Sequence, residues 1–541
     1  MRLAVIVPRL PKRPGNTRLL ALLGGLALLM CGCGAASIAT KRPRTTGLQS
    51  MFEAQTQLLS APGATLDQLR RLGVDTVRVF VPWGSLAPNT ASHVAPAHLD
   101  PSSPSAYPAA GWQPFDTIAR EAAARGMRVF LTLEGPPPLW ASGGGAPRGG
   151  SYPQWAPSAS DYGAFVRAVG TRYSGSYRPP DSPSPLPRVS FWSIWNEPNY
   201  GPQLAPQAID NSTVEVSPRL YRALLDAAWA SLRATGHGSD TILIGELAPR
   251  GITTGNNPGN FSGMVPLRFL RALYCVDSSY RQLRGAAATA RGCPSDASSS
   301  AGFAAANPAL FRATGFAAHL YPQGGLPPNF VIPDEPDYAD LASLPRLEST
   351  LDRAISAYGF ATRLPIYSTE FGFQTNPPEK IIKTTNPATA AYYLNLAEYI
   401  SWRDPRIRSW DQFQLTDPRS GSFASGLEFA DGRPKPSFFA YRLPIFLPVT
   451  SANRGQGVEL WGCVRPARNA RPATQRTRSV RIQFQTAGAG PFRTIRTLPL
   501  TGPDGYFDLR MKFASSGSVR LAWSYPDGST IYSRTATITI R

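Results

Sequence analysis

Two short runs hold the residue types that could do acid–base chemistry. One is Phe191-Trp192-Ser193-Ile194-Trp195-Asn196-Glu197-Pro198-Asn199, an apolar stretch that stops at an acid and a proline. The other is Leu364-Pro365-Ile366-Tyr367-Ser368-Thr369-Glu370-Phe371-Gly372, built the same way. Carboxylates avoid buried sites unless they are paired or used. Two strand-like segments, each delivering one Glu at its C-terminal exit, predict a two-carboxylate site on the rim of a barrel. Such a pair can cleave a glycosidic bond. One carboxyl protonates the leaving oxygen and the other stabilises the oxocarbenium-like centre, so their environments must differ.

The elements that must position these acids follow a repeating pattern: a short β-branched run, a polar exit, then an amphipathic helix. Strands are expected at residues 52–59, 75–82, 127–133, 189–195, 241–245, 315–320, 365–369 and 408–415. Helices are expected at 65–72, 115–125, 161–173, 218–235, 344–358 and 388–400. Eight alternations over about 400 residues predict an α/β fold, a (β/α)8 TIM barrel with long rim loops. Glu197 then ends the fourth strand and Glu370 the seventh. Glu134 and Glu246 also end strands, but lack neighbouring motif residues and read as substrate contacts at most.

From about residue 450 the texture changes to period-two alternation at 458–462, 480–484, 506–509, 519–523 and 536–540. Turns such as Pro503-Asp504-Gly505 and Pro526-Asp527-Gly528 separate these runs. A smaller C-terminal antiparallel β-sandwich is expected there. It either binds polysaccharide or packs passively on the barrel. A chain of 541 residues exceeds one compact core. The division expected is an export signal at 1–36, a linker at 37–47, the barrel at 48–447 and the sandwich at 448–541.

The N-terminus supports the first of these. Arg2, Arg9, Lys12, Arg13 and Arg18 precede an apolar run at 19–30 and small residues at 32–37. This is the pattern of a secretory signal, and the apolar run is short for a membrane span. The protein is therefore expected to be secreted or held at the cell surface. A lipid anchor is the alternative, with Cys33 a better candidate than Cys31. Cys275 and Cys293 bracket a polar segment and read, in an exported protein, as a disulfide closing a surface loop. Cys463 is left over, expected to be buried beside Trp461. No cysteine has metal-ligand spacing and the four His are scattered, so neither a metal site nor any other cofactor is expected.

The formal net charge is +20. It reflects either attraction to anionic polymers or a chain-wide bias toward Arg, and the dispersal of the arginines favours the bias. No basic helix or nucleic-acid module accompanies them, so no nucleic-acid partner is expected. A monomer is expected. The 11 Trp suggest sugar-stacking surfaces, with core packing the alternative for most of them.

Trp195-Asn196-Glu197-Pro198 together with Thr369-Glu370-Phe371-Gly372 resembles clan A of the glycoside hydrolases, which includes cellulases, β-mannanases and β-xylosidases. The resemblance covers about residues 50–445. It implies that Glu197 is the acid/base, Glu370 the nucleophile and Asn196 a partner of the sugar 2-hydroxyl. Arg78, in Val77-Arg78-Val79, resembles the second-strand Arg that keeps the nucleophile ionised. His319 and Tyr321, in Ala318-His319-Leu320-Tyr321-Pro322, resemble the sixth-strand pair around nucleophile and sugar. Trp410 is the candidate sugar platform, with Phe413 and Gln414 nearer the strand exit where the family's Trp often lies. Trp140 either lines a sugar cleft or packs the barrel top, and Trp83 and Trp155 are further cleft candidates. The resemblance thus implies a secreted retaining β-glycosidase acting on a polysaccharide or oligosaccharide through a glycosyl–Glu370 intermediate. A transglycosidase and a non-catalytic carbohydrate-binding surface protein are the alternatives. Neither the sugar, the linkage nor endo against exo action follows from these residues.

Overall fold

A computed structural model of the chain describes residues 47–146, 154–180, 182–209, 212–252, 263–380, 382, 384–470, 478–488 and 490–541. The export signal and nearly all of the expected linker, with Cys31 and Cys33, lie outside the described residues. Among the described residues no helix is long and apolar enough to cross a membrane.

Eight strands close into a parallel barrel in chain order: β1 (Gln49–Glu53), β2 (Thr76–Pro82), β3 (Arg128–Glu134), β4 (Phe191–Ile194), β5 (Thr241–Leu247), β6 (Gly315–His319), β7 (Ile366–Glu370) and β8 (Ile407–Phe413). β1 pairs with both β2 and β8, which seals the ring. Both faces of each strand are covered, so the strands read as near-continuous apolar runs. In β2 the outward Val77, Val79 and Val81 are fully buried against the surrounding helices.

The inward positions explain where chemistry can sit. Met51, Phe130, Phe191, Leu243, Ala317 and Tyr367 form one apolar plug inside the ring. Two residues further along each strand, on the same face, stand Glu53, Thr132, Ser193, His319 and Thr369. The barrel is therefore sealed by hydrocarbon at one level and polar at the next level toward its C-terminal mouth, the end where barrel enzymes place their sites.

β1 departs from expectation. It spans residues 49–53, and the helix Gln55–Ser60 follows at once, so the segment expected to be a strand is mostly helix. The remaining seven strands overlap those expected.

The C-terminal strands are β9 (Ile445–Phe446), β10 (Ser451–Ala452), β11 (Gly457–Cys463), β12 (Ser479–Thr486), β13 (Arg493–Pro499), β14 (Tyr506–Lys512), β15 (Gly517–Ser524), β16 (Thr530–Tyr532) and β17 (Ala536–Ile540). They form a sheet of order β10-β17-β15-β12-β13, with β16 on β15, and a smaller sheet β14-β11-β9. Inward residues of both sheets, among them Leu460, Ile482, Val519 and Leu521, share one core. The pairing is antiparallel except between β10 and β17, which run parallel. Cys275 and Cys293 are joined in a disulfide, and Cys463 is a buried thiol.

Candidate active site

The strand exits gather six carboxyl groups around one arginine and one histidine. Arg78, on β2, is fully buried and its guanidinium serves four strands. Nη1 donates to Glu370 Oε1 at 2.6 Å and to Glu53 Oε2 at 3.1 Å. Nη2 donates to Glu246 Oε2 at 3.0 Å and to Asn196 Oδ1 at 3.3 Å. Nε donates to Thr132 Oγ1 at 2.9 Å. A forked donor set suits this task, because a point charge could not reach so many acceptors.

His319, at the end of β6, links the acids on the other side. Its Nδ1 lies 2.9 Å from Glu197 Oε1 and 3.4 Å from Glu370 Oε2, while Nε2 lies 2.9 Å from Glu246 Oε2. Burial opposes its charge, but Glu370, Glu197 and Glu246 push its pKa up to about 10. The ring is then doubly protonated and donates at both nitrogens. Tyr321 donates its hydroxyl to Glu370 Oε2 at 3.2 Å.

The two motif acids meet. A carboxylate oxygen of Glu197 and one of Glu370 lie within 4.8 Å of each other, with His319 between them. Glu197 and Glu370 keep 20% and 10% of their side-chain surface exposed, whereas Arg78, His319 and Glu246 keep none. The pair therefore faces the open side of a charged network whose other members are sealed. Glu197, His319 and Glu370 also have the donor types of a metal site. Both His319 nitrogens already face carboxylate oxygens, so a cation would have to displace one of those contacts.

Local backbone geometry delivers Glu197. Trp195 and Glu197 both adopt left-handed φ, 67° and 40°, a conformation that costs non-glycine residues about 1–3 kcal/mol each. The turn is held in place by its neighbours. Trp195 N–H donates to Leu133 O at 2.8 Å, and Glu197 N–H to Glu246 O at 2.9 Å. Asn199 is fully buried and clamps the exit of β4 to that of β5, accepting from Ala248 N–H at 2.9 Å and donating to Ala248 O at 3.0 Å.

Four acids have a role or state that the sequence did not disclose. Glu246 is no substrate contact. A bulge between Gly245 and Leu247 turns it inward, where it is fully buried. Burial alone would raise its pKa, yet Arg78, His319 and Thr369 hold it down to about 2. Glu53, which ends the misplaced first strand, is pushed well above the usual carboxylate range by burial and by Glu370. Asp411, on β8, is pushed well up by burial too, and neither of its carboxyl oxygens has a hydrogen-bond partner among the described residues. Burial pushes Glu134 up to about 8. Burial thus biases Glu53, Asp411 and Glu134 toward the neutral acid, which limits the negative charge of the cluster.

A cavity of about 390 Å³ opens over the pair. Glu197, Tyr200, Arg250, Tyr321, Glu370, Phe413 and Phe423 are among its walls. Trp410 is not. It is fully buried with its ring centroid 4.6 Å from that of Phe371, because period two along β8 sends it outward from the barrel. The platform assignment to Trp410 is corrected accordingly, and the aromatic side chains lining the pocket are Tyr200, Tyr321, Phe373, Phe413 and Phe423. Trp140 also stands off the pocket, half-buried edge-on to Trp83, with Nε1 donating to Pro88 O at 3.0 Å. Trp83 and Trp155 are buried. Arg78 has no exposed surface and touches Glu370 and its neighbouring acids rather than the pocket. A larger hollow of about 1010 Å³ lies on the barrel flank, and its one lining acid, Asp116, is bound by Arg172 and Tyr173.

No protein-family model matches the chain. No curated protein matches it by sequence. Solved structures do. A family 39 glycoside hydrolase from the gut symbiont Bacteroides cellulosilyticus is 15% identical, with 86% of this chain and 79% of that one covered at a TM-score of 0.45. A glucosidase from Croceicoccus marinus is 12% identical, with 91% and 97% covered at 0.47. A β-glycosidase from Thermosphaera aggregans is 14% identical, with 71% and 84% covered at 0.43. The fold assignment rests on the strand order and register of this chain itself.

Proposed function

We propose that the protein is a retaining glycoside hydrolase, with Glu370 as nucleophile and Glu197 as acid/base. The observation that carries this reading is the approach of the Glu197 and Glu370 oxygens to within 4.8 Å over an open pocket. Direct attack by a carboxylate needs carboxyls about 5–5.5 Å apart, whereas an inverting pair leaves about 6.5–9.5 Å for a water.

The two carboxyls keep different partners. Glu370 accepts from Arg78 and Tyr321. It attacks the anomeric carbon as the glycosidic C–O bond breaks. Glu197 accepts from His319 at Oε1, which leaves Oε2 to carry the proton that the leaving oxygen takes. Glu197 then takes a proton from the incoming water, whose oxygen displaces Glu370. Asn196 spends Oδ1 on Arg78, which leaves its amide N–H groups for a sugar hydroxyl. The basic and apolar N-terminal residues support export as the setting of this activity.

The test is a panel of glycans cleaved by purified protein, with the anomeric configuration of the fresh product read by NMR. Net retention is expected. Glu370→Ala should lose at least about a thousandfold in turnover and regain activity with azide, giving a glycosyl azide of inverted configuration. Inverted product from the unmodified protein would end the double-displacement reading.

A further inference from the structure

One wall of the pocket is not used by the two-carboxylate chemistry. Arg250, four residues beyond Glu246 at the exit of β5, lines the cavity beside Glu197 and Tyr321. Nη1 donates to the main-chain oxygen of Tyr321 at 2.8 Å, which pins the guanidinium to the wall. Asp340 and Glu197 act on it electrostatically, yet none of the described ion pairs includes it. Arg78, by contrast, is bound to three carboxylates. A partly desolvated guanidinium that enters none of the described ion pairs favours an anion from the ligand, and its planar fork fits a carboxylate or sulfate group.

A second observation extends the same feature. A cavity of about 440 Å³ adjoins the first at Phe413, lined by Glu53, Gln55, Gln57, Gln414, Thr416 and Arg419 among others. Arg419 is exposed there and likewise enters none of the described ion pairs. A cation thus stands on either side of Phe413. Residues 1–46 hold eight Lys and Arg and no acid, so the remaining chain still carries a formal charge of +12. A field of that sign raises the local concentration of a polyanion.

We propose that the substrate is an anionic glycan, bound with a carboxylate- or sulfate-bearing sugar against Arg250, which selects it. This rests on the glycosidase reading and adds the substrate class. Arg250 binds the anionic group and takes no part in bond breaking. Arg419 meets a charge further along the chain of sugars.

The experiment compares polyuronate and sulfated oligosaccharides with their own neutral counterparts, prepared by carboxyl reduction or desulfation. The full chain, Arg250→Gln and Arg250→Lys are assayed for kcat and KM at low and high salt. The unmodified protein should prefer the charged member of a pair by about 10- to 100-fold in kcat/KM, mainly through KM. The preference should shrink with salt. Arg250→Gln should abolish it, and Arg250→Lys should keep part of it, which separates charge recognition from loss of the Tyr321 contact. The member preferred, uronate or sulfate, identifies the anion. Equal use of charged and neutral partners, or a preference that survives Arg250→Gln, overturns the proposal while leaving the glycosidase reading intact. Should no glycan be cleaved, that reading falls separately, and calorimetric binding of the same matched pairs decides the anion preference by the same two criteria.

Discussion

At the scale of single residues the site is a problem in keeping many acids together. Among the described residues, Arg78 is the one side chain that touches Glu53, Glu246 and Glu370 at once. Arg78→Met would leave Glu246 buried without its main counter-charge, at a cost of about 3–5 kcal/mol. Arg78→Lys restores a charge but not the fork, so urea unfolding should show partial recovery of stability with little recovery of kcat. A Met variant as stable as the parent would remove Arg78 from the centre of the network. The same network fixes a pH window. Glu246 sits near 2 against its ordinary 4.5, so its contribution to stability is whole above about pH 4.5 and drains away as pH falls toward 2. His319 sits near 10 against its ordinary 6.5, so its contribution is whole below about pH 6.5 and is lost as pH climbs to about 10. The melting-temperature gap between the parent and His319→Gln should therefore be widest near pH 6 and close toward pH 10. Glu197, Glu370, His319 and Tyr321 were legible because each sits in a recognisable run at or just past a strand exit, and Arg78 because it interrupts the apolar run of β2. Glu246 was not, because inward direction depends on a one-residue bulge. Asp411 was not, because nothing in its neighbours marks an acid as sealed.

At the scale of elements, direction follows from period two and from where that period breaks. Trp410 sits one residue before the inward Asp411 and so belongs to the outer packing, next to Phe371. Trp410→Phe should lower stability by about 1–3 kcal/mol while leaving KM within about twofold. Phe413→Ala should do the reverse, raising KM about tenfold through loss of an aromatic wall. Steady-state kinetics beside thermal melts separates the two outcomes, and a large KM effect at Trp410 would restore it to the pocket. Where the period breaks, glycine permits it. Gly245 has φ of 110°, and a Cβ there would lie 2.5 Å from Ala317 O. Gly245→Ala should destabilise by more than about 1 kcal/mol and reduce turnover, because the bulge that inserts Glu246 cannot form unstrained. The barrel was legible for a physical reason: seven of its strands are bounded by turn residues and filled with apolar side chains. β1 was misplaced because apolar residues continue into Leu58 and Leu59, of which Leu58 faces the core from a helix rather than a strand while Leu59 is exposed.

At the scale of the whole molecule the sandwich is bound into the barrel rather than tethered to it. The described residues form one compact unit. Arg465, between the sandwich strands, is fully buried, pairs with Glu398 of the barrel helix Pro387–Arg403, and donates from Nε to Tyr441 O at 2.9 Å. Tyr506 donates to the same Glu398 oxygen at 2.6 Å, and Tyr441 OH lies 3.0 Å from Ser50 Oγ on β1. Around this polar core, Leu396 and Tyr399 of the barrel pack with Phe446 and Trp461 of the sandwich. An interface so closed, with a buried ion pair ringed by apolar side chains, ties the stability of each part to the other. Arg465→Met alone should therefore cost about 3–5 kcal/mol, because it abandons Glu398 in a sealed site. The double variant Arg465→Met with Glu398→Leu should regain most of that loss, since two apolar side chains leave no buried charge behind. Calorimetry of the parent should give a single transition for barrel and sandwich together. Two separated transitions, with Arg465→Met shifting only the one assigned to the sandwich, would show that the barrel holds its eight strands, and with them the Glu197–Glu370 spacing, without help from its C-terminal partner.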